Sequence, residues 1–279
     1  MMEEHSMSRK QTSLYLFFTY GLTYISWTIY AVYINRVDSA LNFSDHMGIL
    51  MLLGLMGPTL GAYLAIAFTR EKGGFKSYHQ QFRLNFGWRW LTIAIGLPIL
   101  LGGLGYAVGF TLEPEWMRST EIRAAYTFIP ALFSSIVFGG LEELGWRGVL
   151  LPNLLGRLGY YRSTLIVGTA WTLWHIPLFF IPDSGQYGSN FAIYAIELIG
   201  YSAILTWLYV RTRSVILAVL FHASFNAISY VGLYAPKAAN LPYAVFAILL
   251  VIIGLGFVSR LTARPGTIQT EVEEGKAGV

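Results

Sequence analysis

Eight apolar stretches separated by short polar segments organise the sequence. Seven of them contain no Asp, Glu, Lys or Arg, and one is interrupted only by Glu197. Each is close to the ~20 residues that an α-helix needs to cross a bilayer, and none has the alternating pattern typical of a transmembrane β-strand. The sequence therefore predicts an all-α polytopic membrane protein with about eight transmembrane helices. The stretches are 11–35, 47–69, 90–112, 124–141, 163–182, 184–210, 214–236 and 238–259.

The segments between the stretches are too short to form a separate soluble domain. Residues 1–259 are therefore expected to be a single transmembrane domain, and the polar tail 260–279, with its mixed charges, is expected to be disordered. The first stretch is longer than the apolar core of a signal peptide and is not followed by a convincing cleavage site, so we expect it to be retained.

Composition supports a membrane protein and excludes several other classes. Charged residues make up 12% of the chain, about half the fraction in a typical soluble domain. The absence of cysteine excludes a disulfide scaffold, a thiolate metal site and a cysteine nucleophile. Lys and Arg form no dense patch, so no nucleic-acid partner is expected.

The distribution of Lys and Arg predicts the orientation in the membrane. If the N-terminus is cytoplasmic, fifteen of the 19 basic residues, Arg147 among them, fall on the cytoplasmic side. The other four, Arg36, Arg118, Arg123 and Lys237, fall on the opposite side. Cytoplasmic loops are enriched in Lys and Arg, so both termini are predicted to be cytoplasmic. Short loops and the lack of organelle signals favour a prokaryotic plasma membrane.

Ionisable side chains inside apolar spans are costly, so their presence indicates a function. Glu142 and Glu143 occur near the end of the fourth stretch, and Arg147 follows Glu143 at the i,i+4 spacing of a favourable helical ion pair. Glu142 points about 100° away from Glu143 on a helix. If the helix continues through this segment, Glu143 is held by Arg147 and Glu142 is left for chemistry. Gly139 and Gly145 flank Glu142 on nearly the same face and would leave room for water or substrate.

Two later stretches each add a histidine with a companion at helical spacing. Trp171 and His175 share one face of the fifth helix, and His222 and Asn226 share one face of the seventh. At 1.5 Å per residue, Glu142 and the two histidines lie about 14 to 20 Å from the predicted cytoplasmic ends of their helices. We therefore expect one shared polar site. Glu197 could reach the same depth and is interpreted as an interhelical hydrogen-bonding residue.

This set of residues suits peptide hydrolysis by direct attack of water. Glu142 would take a proton from a water oriented by His175, while His222 and Asn226 would donate hydrogen bonds to the tetrahedral oxyanion. Glu142, His175 and His222 could instead bind Zn²⁺. The helix motif His-Glu-x-x-His is absent, so no cofactor is favoured.

The three motifs together resemble the CAAX-protease and bacteriocin-processing family, which includes the Rce1-like type II prenyl endopeptidases. The resemblance rests on Glu142-Glu143-x-x-x-Arg147, Trp171-x-x-x-His175 and His222-x-x-x-Asn226, within a core of about residues 124–230. Trp171 stands where a phenylalanine is common in that family. The resemblance implies an eight-helix intramembrane endopeptidase with Glu142, His175, His222 and Asn226 as catalytic residues and Glu143, Arg147 and Trp171 in support.

The resemblance leaves the cofactor and the substrate open. Some members of the family are described as metalloproteases and others as glutamate proteases. The expected substrate is a peptide or protein, either membrane-associated or lipidated, with the lipid bilayer as surroundings. Two alternatives remain: a transporter that uses the buried Glu and His residues as a proton or ion relay, and a non-catalytic immunity or scaffold protein.

Overall fold

The computed structural model describes residues 2–36, 44–70, 74–182 and 184–262, and the regular elements in these ranges are all helical. Each predicted apolar stretch coincides with one or more helices, which confirms the all-α polytopic class. The α-helices are α1 (Met2–Arg36), α2 (Ser44–Leu55), α3 (Gly57–Thr69), α4 (Gly74–His79), α5 (Gly87–Leu112), α6 (Pro114–Ser119), α7 (Phe128–Val137), α8 (Glu143–Gly145), α9 (Leu151–Trp174), α10 (Phe191–Thr212), α11 (Val215–Val231) and α12 (Asn240–Thr262).

Four helical segments of the described chain are long and apolar enough to cross a membrane: Gly87–Leu112, Ala125–Phe180, Phe191–Thr212 and Asn240–Leu261. A fifth crossing is available if α2 and α3, which are bent by 53° at their junction, form one broken span. The second of the four runs for 56 residues and contains nearly all of the fourth and fifth predicted stretches. The number eight and the cytoplasmic location of both termini stay predictions.

The predicted tail 260–279 lies outside the described residues apart from its first three positions. These three positions, 260–262, continue α12 as helix. Three of the basic residues used to predict the orientation, Lys72, Arg264 and Lys276, also lie outside the described ranges.

The fourth apolar stretch is broken before the two acids, and the chain then continues past them in helical turns of three different kinds. Helix α7 ends at Val137, and Gly139 follows with a φ of 143° that side-chain-bearing residues rarely adopt. A 3₁₀ turn over Gly140–Glu142, the single turn α8 and a π-helical segment over Trp146–Leu150 then lead into α9. Short π segments inside helices frequently occur at functional sites.

Small residues allow the helices behind the break to approach one another closely. Gly200 of α10 lies against the backbone of Leu250 in α12, and Gly254 of α12 lies against the carbonyl of Gly200, so a Cβ at either position would overlap the neighbouring helix. Close approach through small residues is a common way to pack helices in membranes. Helix α10 also packs on α9, and α11 packs on both α5 and α7. The broken segment itself contacts α9 and α11.

Candidate active site

Glu142 is the last residue of the 3₁₀ turn, and its side chain is buried. The indole Nε1–H of Trp171 donates a hydrogen bond to Glu142 Oε2 over 2.8 Å. A hydrogen bond to a buried carboxylate is one of the stronger interactions in proteins, because the acceptor is charged. The bond joins the broken segment to α9 and fixes the orientation of the Glu142 carboxyl group.

Glu143 and Arg147 form a fully buried ion pair. Arg147 Nη1 lies 2.8 Å from Glu143 Oε2, and both side chains are completely inaccessible to solvent. The i,i+4 spacing predicted this pair correctly, although the intervening backbone passes from α-helix into the π segment. The same burial corrects the assignment of Arg147 to a cytoplasmic loop in the charge count. Its guanidinium group also lies over the ring of Trp171, 4.9 Å from the ring centre.

His222 of α11 contacts the same ion pair, a contact that the sequence did not predict. His222 Nδ1 lies 2.9 Å from Glu143 Oε1, and the two residues are separated by 79 positions in the chain. Since a carboxylate only accepts hydrogen bonds, Nδ1 carries the proton. Glu143 is therefore shared between Arg147 and His222, and the second ring nitrogen of His222 is left for other partners.

His175 is oriented in a comparable way by the backbone of its own helix. Its Nδ1 lies 2.8 Å from the carbonyl oxygen of Trp171, so Nδ1 is the donor and the neutral ring presents Nε2 as an acceptor. The ring also packs edge-on against Trp174 and Tyr194. These contacts hold the imidazole where the helix ends and a 3₁₀ segment begins.

Gly139 brings the broken backbone against the two polar residues of α11. A Cβ on Gly139 would overlap Asn226 Nδ2 and would lie 3.2 Å from His222 Nε2. Asn226 Nδ2 also lies 3.5 Å from the carbonyl oxygen of Phe138, at the outer limit of a hydrogen bond. The expectation for Gly145 is wrong: it packs against Pro58 of α3 and the hydroxyl group of Tyr15, so it leaves no room for substrate.

The predicted site residues line a single cavity of about 220 Å³. Glu142, His175, His222 and Asn226 all contribute to its wall, as the co-planar placement of the polar residues predicted. A water molecule takes about 30 Å³ of liquid volume, so the cavity has room for several waters or a short peptide segment. Further polar residues in its wall are Gln186, Tyr194, Glu197 and Lys237.

Glu197 connects two helices, as its position in the sequence predicted. The hydroxyl group of Tyr243 in α12 donates a hydrogen bond to Glu197 Oε2 over 2.6 Å. Glu197 is buried and also lines the cavity. It therefore supplies a second carboxyl group there besides Glu142.

The described residues contain no group of three or more His, Cys, Asp or Glu side chains placed to hold a metal ion. Glu142, His175 and His222, the three ligands that a zinc site would need, thus share a cavity without forming a ligand cluster.

Two residues that the sequence did not single out, one in α4 and one in the turn after it, support α8 and the π segment. The hydroxyl group of Tyr78 donates to the carbonyl oxygen of Leu144 over 3.0 Å, and Gln81 Nε2 donates to that of Gly148 over 3.1 Å. Burial raises the pKa of the Tyr78 hydroxyl well above its ordinary value, so it stays a donor. No sequence signal marked either residue, because their partners are backbone atoms.

One buried acid, two oriented histidines and an asparagine thus line one cavity of a helical membrane protein, and a second buried acid contacts one of the histidines. Residues 124–228 match the family model described as type II CAAX prenyl endopeptidase Rce1-like. Over these residues the chain is similar to this family of membrane endopeptidases. It is similar to a protein of the archaeon Methanococcus maripaludis named CAAX prenyl protease 2, with 29% identity over 234 residues, which is 76% of this chain and 82% of that protein.

Proposed function

We propose that the protein hydrolyses a peptide bond within the membrane by means of a water molecule activated by Glu142 and His175. The observation that carries this proposal is the orientation of the two groups around one cavity. Trp171 occupies only Oε2 of Glu142, and the backbone occupies only Nδ1 of His175. Glu142 Oε1 and His175 Nε2 are therefore the atoms that can accept hydrogen bonds from a water in the cavity.

The first step is attack of this water on the carbonyl carbon of the scissile bond. Glu142 accepts one proton of the water as the new C–O bond forms, and the carbonyl oxygen becomes an oxyanion. Glu142 then gives the proton to the leaving nitrogen as the C–N bond breaks. The products are a carboxylic acid and an amine, and Glu142 returns to its initial state.

His222 and Asn226 are proposed to stabilise the oxyanion. The amide nitrogen of Asn226 and Nε2 of His222 lie on the same side of Gly139, so donors on both could converge on one oxygen. Glu142, Glu143 and Arg147 together carry one negative charge, and a protonated His222 makes the group neutral. Glu143 accepts from Nδ1 of that ring, which favours the cationic form that donates from both nitrogens.

The substrate proposed for this site is a membrane-associated or lipidated peptide. The relative from Methanococcus maripaludis is named a CAAX prenyl protease, which supports a lipid-modified protein as the substrate. An apolar groove of about 420 Å³ lies between α1 and the segment that directly follows His175 in the chain. Val32, Ile176 and Phe180 are among the residues that line it. It is large enough for part of an alkyl or isoprenoid chain.

The test is cleavage of fluorogenic peptides, prenylated and unprenylated, by the protein purified in detergent and reconstituted in vesicles. Glu142→Gln keeps an oxygen that can accept from Trp171 and removes the base, so kcat should fall by about 10²- to 10⁴-fold. Glu115→Gln, at an exposed residue, is the matched control and should keep full activity. Full activity of a folded Glu142→Gln variant would contradict the mechanism.

A second arm of the same assay tests the proposal that the reaction needs no metal. Activity should persist after dialysis against a chelator, with metal content verified by elemental analysis. Loss of activity that is restored by added Zn²⁺ would show that the metal-free mechanism is wrong.

A further inference from the structure

The connection between α3 and α5 carries a basic stretch at the boundary of a membrane span. Residues 74–90 contain three exposed cations, Lys76, Arg83 and Arg89, and no Asp or Glu. The nearest acid in the sequence, Glu71, is flanked by a basic residue on each side. The ion pairs within 4.0 Å among the described residues include none of these three cations. The proposed mechanism does not use them either.

The end of α10 adds two more exposed cations beside this stretch. Arg211 lies in the last turn of α10, and Arg213 directly follows the helix. The hydroxyl group of Tyr209 interacts electrostatically with both Arg213 and Arg83. The hydroxyl group of Ser214 donates to the carbonyl oxygen of Arg83 over 2.9 Å, so the two basic segments meet. The term basic surface is used below for five exposed residues: Lys76, Arg83, Arg89, Arg211 and Arg213.

Two large apolar side chains are exposed beside these cations. Leu84, which follows Arg83, is 74% accessible, and Trp88, which precedes Arg89, is 76% accessible. The apolar helix that is long enough to cross the membrane begins at Gly87, so this surface lies at the membrane edge. Tryptophan is enriched at this level, where an apolar ring is favoured next to polar headgroups. Exposed cations and exposed apolar side chains at the membrane edge fit a lipid surface.

We propose that the basic surface binds the phosphate headgroups of anionic phospholipids, while Leu84 and Trp88 contact the acyl chains. Lys and Arg next to a span attract anionic lipids, and each contributes about fivefold in affinity. Guanidinium groups suit this ligand, because they can form two parallel hydrogen bonds with one phosphate. The inference goes beyond the proposed function, since binding of a lipid needs no peptide substrate.

Hydrogen bonds tie the basic stretch to the segment that carries the buried ion pair. Gln81 Nε2 donates to the carbonyl oxygen of Gly148 in the π segment, and Gln81 Oε1 accepts from the Tyr209 hydroxyl over 2.7 Å. The backbone N–H of Val215, the first residue of α11, donates to the carbonyl oxygen of Gln81 over 2.9 Å. Lipids that hold residues 74–90 at the membrane surface therefore also restrain the π segment and the start of α11.

The binding experiment uses the full-length protein in detergent, with dioleoylphosphatidylglycerol as the anionic probe and dioleoylphosphatidylcholine as the zwitterionic probe. Native mass spectrometry counts the lipids that stay bound as the lipid concentration rises. The native protein should bind the anionic probe about tenfold or more tightly than the zwitterionic one. Lys76→Gln/Arg83→Gln/Arg89→Gln should lose most of this preference. If the triple variant does not fold, each single substitution should weaken anionic binding by about fivefold.

The matched control removes the same number of exposed cations from the same predicted side of the membrane. It is Arg9→Gln/Lys10→Gln/Arg260→Gln, with the changes on α1 and α12, and it should keep the preference for the anionic probe. An equal loss in both triple variants would show attraction by net charge alone and would overturn the assignment to the basic surface. Equal binding of the two lipids by the native protein would also overturn it.

Peptide cleavage in vesicles tests the link between the basic surface and the site. With the anionic lipid present, kcat of the native protein should rise by about fivefold, the value of one typical hydrogen bond. Gln81→Met should bind the lipid as the native protein does and lose this activation, whereas Gln80→Met, at an exposed neighbour, should keep it. Activation that persists in Gln81→Met, or that is absent in the native protein, would refute the link.

Absence of cleavage in every vesicle would instead contradict the proposed function, and the binding experiment would still decide on the lipid site. The link is then measured by thermal unfolding, because a ligand that binds the folded protein raises its Tm. Anionic lipid should raise the Tm of the native protein and of Gln80→Met more than that of Gln81→Met. An equal rise in all three proteins would refute the link.

Discussion

Replacing Arg147 with methionine removes the cation of the buried ion pair and keeps an apolar chain of similar length. Arg147 and Glu143 are completely buried and 2.8 Å apart. After the substitution, the Glu143 carboxylate keeps one hydrogen-bonding side-chain partner among the described residues. This partner is His222 Nδ1, at 2.9 Å. The perturbation is therefore an uncompensated charge in the protein interior.

The expected loss of stability is about 3 kcal/mol. Removal of one partner of a buried ion pair costs about 3 to 5 kcal/mol, and the remaining contact with His222 places Arg147→Met at the lower end. Glu143→Gln should cost a similar amount, because it leaves the guanidinium group uncompensated. The double variant Glu143→Gln/Arg147→Met removes both charges and should lose less than the two single losses together, with a coupling of about 0.5 to 3 kcal/mol.

The assay is unfolding of the four proteins in one detergent, followed by tryptophan fluorescence against increasing denaturant. Arg118→Met is the control, since that side chain is exposed and its ion pair with Glu115 spans 3.6 Å, so its effect should stay within about 0.5 kcal/mol. Native stability of Arg147→Met, or strict additivity in the double variant, would refute the view that this pair stabilises the site.

Two further predictions concern the groups that position the acid and the oxyanion donors. Trp171→Phe removes the indole donor to Glu142 and should lower kcat about tenfold while the protein stays folded. Steady-state kinetics measure kcat, and gel filtration checks the fold. An unchanged kcat would mean that the hydrogen bond has no role in catalysis. Gly139→Ala places a methyl group against Asn226 Nδ2 at a φ of 143°. It should lower kcat/KM by more than tenfold and the free energy of unfolding by about 1 to 3 kcal/mol. Gly103→Ala, which meets no atom within 4 Å, should be close to neutral in both assays.

The apolar pattern and the i,i+4 rule predicted those features that depend on local sequence. The helical class follows from the length of the apolar stretches, and the pairing of Glu143 with Arg147 follows from their spacing. The shared cavity of Glu142, His175 and His222 was predicted from the free-energy cost of burying each polar group in a membrane. Polar groups at the same depth lower this cost when they line one common site.

Features that depend on tertiary contacts could not be predicted. The break at Gly139 is formed by two adjacent glycines inside an apolar run, and glycine pairs occur equally in close helix packing. The contact between His222 and Glu143 joins residues far apart in the chain. Lys237 was assigned by charge counting to a loop, because a count along the chain does not show that a loop residue returns to line a cavity.

Glu143 and Arg147 pair within a single helical turn, and this has a consequence for the biosynthesis of the protein. Ribosomes deliver the fourth apolar stretch before α11, so Glu143 must enter the membrane environment while His222 is still unmade. Its partner Arg147 is only one helical turn away, and a single turn forms far faster than chain elongation proceeds. The carboxylate can therefore be neutralised within its own segment during insertion, and the later arrival of α11 adds the second partner to a charge that is already compensated.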